Sequence, residues 1–184
     1  MLKHIVLKPH KEAFVRAGHP WIFSNAIFKS EINEVGLCQI LSNDNKNLGI
    51  GMFNPRTSIS VRMLSCDAEI VVDKEFFKKR FLELEEQKKR FLPNETTGYR
   101  LVNADADRLP GLIVDRYENV FVFQIHTAGM DIFRDAIVEA LQEAFDAAAI
   151  VERSDIDARK QDYLTPLPVK IHHGNIDGPV LFKE

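Results

Sequence analysis

The chain has 184 residues, 45% of them apolar and 28% charged, with a net charge of −3; that is enough to pack a core in one or two domains. No apolar run approaches the ~20 residues a membrane helix needs, and no basic-then-apolar leader opens the chain, so the expectation is a soluble protein without a membrane partner. Residues 1–92 hold 15 Lys/Arg against 11 Asp/Glu and residues 93–184 hold 9 against 16, which excludes a chain coated in phosphate-binding cations and confines any RNA contact to a local patch of the first half.

His4–Leu7 predicts a first strand, and Lys11–Ala17 predicts one or two helical turns stopped by Gly18. Pro20 biases His19 towards extended backbone and turns the chain into a strand at Trp21. Val35–Leu41, Leu48–Phe53 and Ser58–Leu64 predict three more strands, separated by the turn chemistry of Asn43–Lys46 and of Asn54-Pro55. Glu69–Val72 is expected to close the set. So many short strands in about 70 residues point to a small barrel, since closure removes exposed edges.

Asp73 is placed to cap a helix running to about Leu92. Phe77, Phe81, Leu84 and Phe91 fall on its buried face, and Glu85/Lys89 and Glu86/Arg90 on its outer one. The second half opens with strands Tyr99–Val102 and Leu112–Tyr117 around an acidic loop, then Val120–His126. A helix carries Phe133, Ile137, Ala140, Leu141, Ala144 and Phe145 on one side. Ile150–Glu152, Val169–His172 and Val180–Phe182 predict further strands, with a proline-broken loop at Leu164–Pro168.

The motifs offer little chemistry by themselves. Gly49-Ile50-Gly51 lies inside a strand, where glycine allows close packing, and no helix follows it to receive a phosphate. Asp105-x-Asp107 opens like a calcium loop, but Pro110 and Arg116 stand where that loop needs a glycine and a bidentate glutamate. The expectation is that Asp105 and Asp107 shape a turn and pair with Arg100 or Arg108, and that Asp115, interrupting an apolar strand, is an ion-pair partner for Arg100. His172 and His173 point to opposite faces of a strand. Cys38 and Cys66 form neither a disulfide framework nor a zinc cluster and have no activating base, which fits a reducing, cytoplasmic setting. No catalytic or metal-ligating residue is assigned. Lys8, Lys11, Arg16, His19 and Trp21 cluster within fourteen residues, with Arg56 on the turn after Asn54-Pro55. Cations beside an aromatic make a candidate RNA patch, unless Trp21 is core and the charges are ordinary surface.

Gly18–Ile27, followed by Leu48–Pro55 and Ile59–Arg62, resembles the PUA-like domain that opens a bacterial methyltransferase family. Tyr99–Tyr117 is similar to the central-domain signature of that family, and Val151–Asp155 fits its next element. The family is the large-subunit ribosomal RNA methyltransferase I type, which methylates cytosine carbon 5 of 23S rRNA using S-adenosylmethionine. Arg108 stands where the family commonly has glycine.

The resemblance implies an α+β fold: a PUA-like β-barrel over residues 1–73, a connecting helix and linker over 74–98, and an antiparallel β-β-α-β-β domain over 99–184. The family's third part, a Rossmann-like domain with the cofactor loop and a nucleophilic cysteine, would start where this chain stops. The expectation is therefore an RNA-recognition portion, itself catalytically inert and without bound S-adenosylmethionine, whose partner is ribosomal RNA; self-association stays open. Two alternatives stand beside it, a stand-alone RNA- or ribosome-binding module and a protein-interaction unit.

Overall fold

The computed structural model describes residues 2–183. The first lobe contains β1 (His4–Leu7), α1 (Glu12–Arg16), β2 (Trp21–Phe23), a 3₁₀ turn at Ser24–Ala26, β3 (Ile27–Ser30), β4 (Gly36–Leu41), β5 (Asn47–Phe53) and β6 (Ile59–Ser65). They form one six-stranded sheet in the order β2-β6-β5-β4-β1-β3. Its two outermost strands, β2 and β3, are consecutive in the chain, so the sheet curls into a half-barrel whose edges are joined by three residues. The Ser24 amide donates to Ser58 O and the Lys8 amide to Ala26 O, each at 2.9 Å, which ties that turn to both sides.

Alternation sends Ile5, Leu7, Ile22, Cys38, Ile40 and Val61 into the half-barrel, where Val15 of α1 joins them. Burial pushes the Cys38 thiol up to about 12, partly offset by hydrogen bonding with the Gly51 backbone, which leaves it a packing residue. Gly49 has φ +123, and a Cβ there would lie 2.0 Å from Ser65 O, so the close pairing of β5 with β6 requires glycine.

Two strand expectations differ here. Glu69–Val72 is irregular; its short apolar run pairs with no strand. The missing strand is β3, which the sequence does not announce because only Ile27 of its four residues is even partly buried.

Helix α2 (Lys74–Lys89) is capped by Asp73, whose carboxylate accepts from the Phe76 amide at 3.0 Å. Phe77, Phe81 and Leu84 are buried as expected, but Phe91 is 88% exposed, because the helix ends before it and takes it off the apolar stripe. Glu85, placed by the sequence on the outer face, is buried instead. It accepts from Tyr99 Oη, from Arg116 Nη1 at 2.6 Å and from Lys89 Nζ at 2.7 Å.

The second sheet consists of β7 (Gly98–Asn103), β8 (Leu112–Tyr117), β9 (Val120–Ile125), β10 (Ala149–Glu152) and β11 (Lys170–Gly174), in the order β11-β10-β9-β8-β7. Between β9 and β10 the chain crosses over through α3 (Ala128–Asp131) and α4 (Arg134–Phe145). That crossover makes the β9–β10 pair parallel while the other pairs are antiparallel, as a helical connection requires. The fold is α+β. Helices α2 and α4 pack over the sheet, and Phe77, Phe81 and Leu84 share one apolar cluster with Val114, Phe121, Phe123 and Leu141.

Val180–Phe182 is not a strand. The end of the described chain is held differently: Thr97 and Gly98 amides both donate to Lys183 O at 2.8 Å, and the Phe182 ring lies 4.8 Å from that of Tyr117. One carbonyl serves both amides, so no ladder forms.

The two lobes are joined by buried polar groups. Asp162 Oδ2 accepts from Asn54 Nδ2 at 3.1 Å and from the Ala128 amide at 2.6 Å, and Arg62 lies 3.8 Å from its other oxygen. Beside it Arg159, 2% exposed, donates to Ile125 O, Thr165 O and Asp131 Oδ1.

Two stability predictions follow from this packing. Replacing Phe81 with Ala removes a fully buried ring and is expected to cost about 3–5 kcal/mol in a denaturant titration. Burial raises the Glu85 pKa, but hydrogen bonds from Lys89 and Tyr99 and the charge of Arg116 outweigh it and leave the group below the usual carboxylate value. A carboxyl lowered on folding contributes stability that is present above its unfolded value, ~4.3, and is lost as pH falls through the folded one. Acid unfolding should therefore be shallower in Glu85→Gln than in the parent over that window, measured by melting temperature against pH.

Candidate RNA interface

The local sequence builds a hollow on the outside of the half-barrel. Helix α1 is one short turn, so Val15 points into the core while Phe14 is left 61% exposed. Gly18, at φ +87, reverses the chain, with its amide donating to Val15 O and the His19 amide to Phe14 O. Pro20 then feeds β2, where Trp21 stands opposite Arg62 of β6. Lys11, Phe14, His19, Trp21, Phe23 and Asn25 line the resulting hollow, of about 210 Å³.

Trp21 is held from three sides. Its indole Nε1–H donates to Asp105 Oδ1 at 2.7 Å, across the lobe boundary. The Arg62 guanidinium sits 6.0 Å from the ring centroid, within reach of a cation–π contact worth ~0.5–1 kcal/mol or more. The His19 ring meets it edge-on at 6.0 Å, and the Trp21 amide donates to His19 Nδ1 at 3.2 Å. An indole fixed in this way, partly open to a hollow, is a preorganised stacking platform.

The acidic loop is wired differently from the expectation. Asp105 pairs with Trp21, not with Arg100 or Arg108. Asp107 accepts from the Asn103 amide at 2.7 Å and from Lys88 Nζ at 3.2 Å. A carboxylate takes the donor that the fold presents, and here those donors come from other elements. Asp115 and Arg100 face each other in the β7–β8 register and meet at 2.8 and 3.2 Å. His172 lies 2.9 Å from Glu152, which Arg134 also contacts.

Of the residues singled out from the sequence, Lys11, His19 and Trp21 line one hollow. Arg16 lines a neighbouring one with Gly18, Asn47, Cys66 and Arg108. Lys8 is exposed beside the 3₁₀ turn, and Arg56 is exposed on the β5–β6 turn, outside both hollows. Sequence reasoning missed Phe14, Phe23, Arg62, Asp105 and Arg108. Phe14 and Phe23 carried a usable signal, as aromatics flanking the basic cluster; nothing local pairs residue 21 with residue 105.

Among the described residues no group of three or more His, Cys, Asp or Glu is placed to hold a metal ion, and no helix is long and apolar enough to cross a membrane. Three glycines fail the test for an S-adenosylmethionine loop. A cradle needs open glycines ahead of a helix, but protein atoms close these: Gly51 is against Val61, Gly111 against Thr127 and Gly129 against Met52. They do not form a cradle for that cofactor.

A curled sheet carrying an aromatic, cation-rimmed hollow, joined to an α+β lobe, defines the class, and residues 5–66 match the PUA-like domain family. The particular relatives are ribosomal RNA large subunit methyltransferase I proteins. That of Shewanella amazonensis is 36% identical over 98% of this chain and 46% of its own length, and that of Shewanella frigidimarina 36% identical over 100% and 47%. The resemblance read from the sequence thus holds along the whole chain, which spans about half the length of these relatives. Among solved structures, a protein from Streptococcus mutans described as a candidate SAM-dependent methyltransferase superposes with a TM-score of 0.77 at 19% identity, over 97% of this chain and 44% of that one. A second candidate methyltransferase, complexed with SAH, gives 0.71 at 21% identity, over 83% and 40%. At these identities they show the shared fold.

These matches correct one expectation. The chain was expected to be a catalytically inert, RNA-recognition portion lacking the catalytic domain. Methyltransferases match it along 98–100% of its length, and the position of its last residue says nothing about catalysis, so that division does not stand.

If Asp105 fixes the indole, Asp105→Asn should keep a weaker hydrogen bond and Asp105→Ala should free the ring. Tryptophan emission anisotropy, from the only tryptophan in the chain, is expected to fall in Asp105→Ala and much less in Asp105→Asn.

Proposed function

We propose that this protein acts in S-adenosylmethionine-dependent methylation of ribosomal RNA, and that the hollow around Trp21 holds a single-stranded stretch of that RNA. The observation that carries this reading is the pinned indole: Asp105 and Arg62 fix it while Lys11, Phe14 and Phe23 surround the open space beside it. Stacking a base on such a ring contributes ~1–3 kcal/mol, with little preference among bases. Lys11 and His19 supply the charge and hydrogen-bonding edge of the hollow, and Arg16, Lys8 and Arg56 are backbone contacts around it. Residues 1–73 act as the RNA-facing lobe, 74–98 carry the chain across, and 99–184 brace the first lobe through Asp105 and Asp162. Arg100–Asp115 is a structural pair within that brace. A ribosomal RNA partner places the protein in the cytoplasm, in keeping with its two free cysteines.

The test is a titration with single-stranded oligoribonucleotide drawn from ribosomal RNA. Binding is expected to quench Trp21 emission. Lys11→Ala should weaken affinity about fourfold at ~0.15 M salt and lower the salt slope by ~0.7, as losing one phosphate contact does. Emission that stays constant at saturating RNA would refute the hollow as the binding site. Transfer of labelled methyl from S-adenosylmethionine to ribosomal RNA, lost together with binding in Trp21→Ala, checks the activity.

A further inference from the structure

The acidic loop leaves one cation behind. Its two carboxylates and that of Asp115 in the following strand are all committed elsewhere: Asp105 to Trp21, Asp107 to Lys88 and the Asn103 amide, Asp115 to Arg100. Arg108, in the middle of that loop, has no carboxylate within ion-pair distance among the described residues and is exposed to solvent. Its backbone is left-handed, with φ 56 and ψ 30, a conformation that costs a residue with a Cβ roughly 1–2 kcal/mol and glycine almost nothing. The loop therefore holds an arginine, unpaired, at a position where the backbone favours glycine.

The first lobe presents a matching group. Arg16, the last residue of α1, is exposed and likewise has no carboxylate partner among the described residues. Arg16 and Arg108 line the same hollow, together with Gly18, Asn47, Leu48 and Cys66. A Cβ built on Gly18 would meet nothing within 4 Å, so the space beside it is open. His19 lines both the aromatic hollow and the small cleft that Asp105, Ala106 and Arg108 share with it. The two guanidinia thus lie next along the surface from the stacking platform, one on each lobe.

We propose that Arg16 and Arg108 form a clamp, spanning the two lobes, for a backbone phosphodiester of the RNA strand whose neighbouring base stacks at Trp21. Guanidinium forks match phosphate oxygens bidentately and remain charged at any working pH. An anion between them relieves the repulsion of two like charges held near one another. The clamp makes the second lobe part of the RNA site and sets the direction in which the strand leaves the hollow. It rests on the RNA reading of that hollow.

Two measurements on the protein test it, both with single-stranded oligoribonucleotide. In the first, anisotropy across a salt series, Arg108→Gly should weaken binding about fourfold at ~0.15 M salt and reduce the slope by ~0.7, with a melting temperature no lower than the parent's. Arg16→Ala should do the same, and the double variant should lose less than the product of the two. If Trp21 emission responds to RNA but Arg108→Gly leaves affinity and slope unchanged, the clamp is overturned and the hollow stands. If the parent protein does not bind RNA, both fail together. The second measurement needs no variant: Cys66 is exposed at the clamp while Cys38 is buried, so alkylation followed by mass spectrometry reports on one thiol. RNA should slow Cys66 alkylation severalfold. Equal rates with and without RNA would overturn the clamp, and equal protection by the same concentration of inorganic phosphate would overturn its assignment to an RNA strand.

Discussion

Two carboxylates of the second lobe, Asp105 and Asp162, find their donors partly in the first, and the placement of everything else on the surface depends on them. Asp162 is 5% exposed. A charge at that depth must be paired or hydrogen-bonded, or it costs several kcal/mol. Its donors are the Asn54 side chain from the half-barrel and the Ala128 amide from the other lobe, with Arg62 nearby. Rotating one lobe against the other would take Asn54 and Arg62 from that carboxylate and leave it the Ala128 amide alone. Asp105 adds a single hydrogen bond from Trp21 of β2. The β2–β6 register sets Arg62 against Trp21, and Asp105 anchors the indole from the other lobe.

The same economy of charge separates structure from recognition. The buried acidic side chains Glu85 and Glu152 are already engaged, Glu85 with Tyr99, Arg116 and Lys89, and Glu152 with Arg134 and His172. Bonds satisfied in this way contribute to the folded state and are poor attractors for a ligand. Lys11, Arg16, Arg56 and Arg108 have no such partner among the described residues. A net negative protein can therefore still carry unpaired cations close together, because the carboxylates of the Asp105–Asp115 stretch are paired with other groups.

What the sequence revealed follows the distance over which each feature is decided. The Asp73 cap, the Phe77/Phe81/Leu84 stripe and the alternation of β4 to β6 are set within a few residues and were legible. Strand β3 was not, since an exposed edge strand shows no alternation. Phe91 was misplaced by extending a correct period past the end of its helix. In the candidate site, Lys11, His19 and Trp21 come together because one tight turn joins them in sequence. Arg62, Asp105 and Arg108 join them only through tertiary packing. The family resemblance identified the relatives that the comparisons then confirmed, but it also suggested an inert fragment, which the length of the matches does not support.

The ties between lobes also govern the order in which the molecule can mature during synthesis. Trp21 leaves the ribosome 84 residues ahead of Asp105, and Asn54 leaves 108 ahead of Asp162. At typical elongation rates of ~5–20 residues per second, several seconds separate each pair. Through that interval the nascent half-barrel can curl, but its indole is unanchored and Asn54 still lacks the carboxylate it will meet. The indole is thus anchored only once the start of the second lobe has been made, and Asn54 meets its carboxylate only when the last third of the described chain has followed.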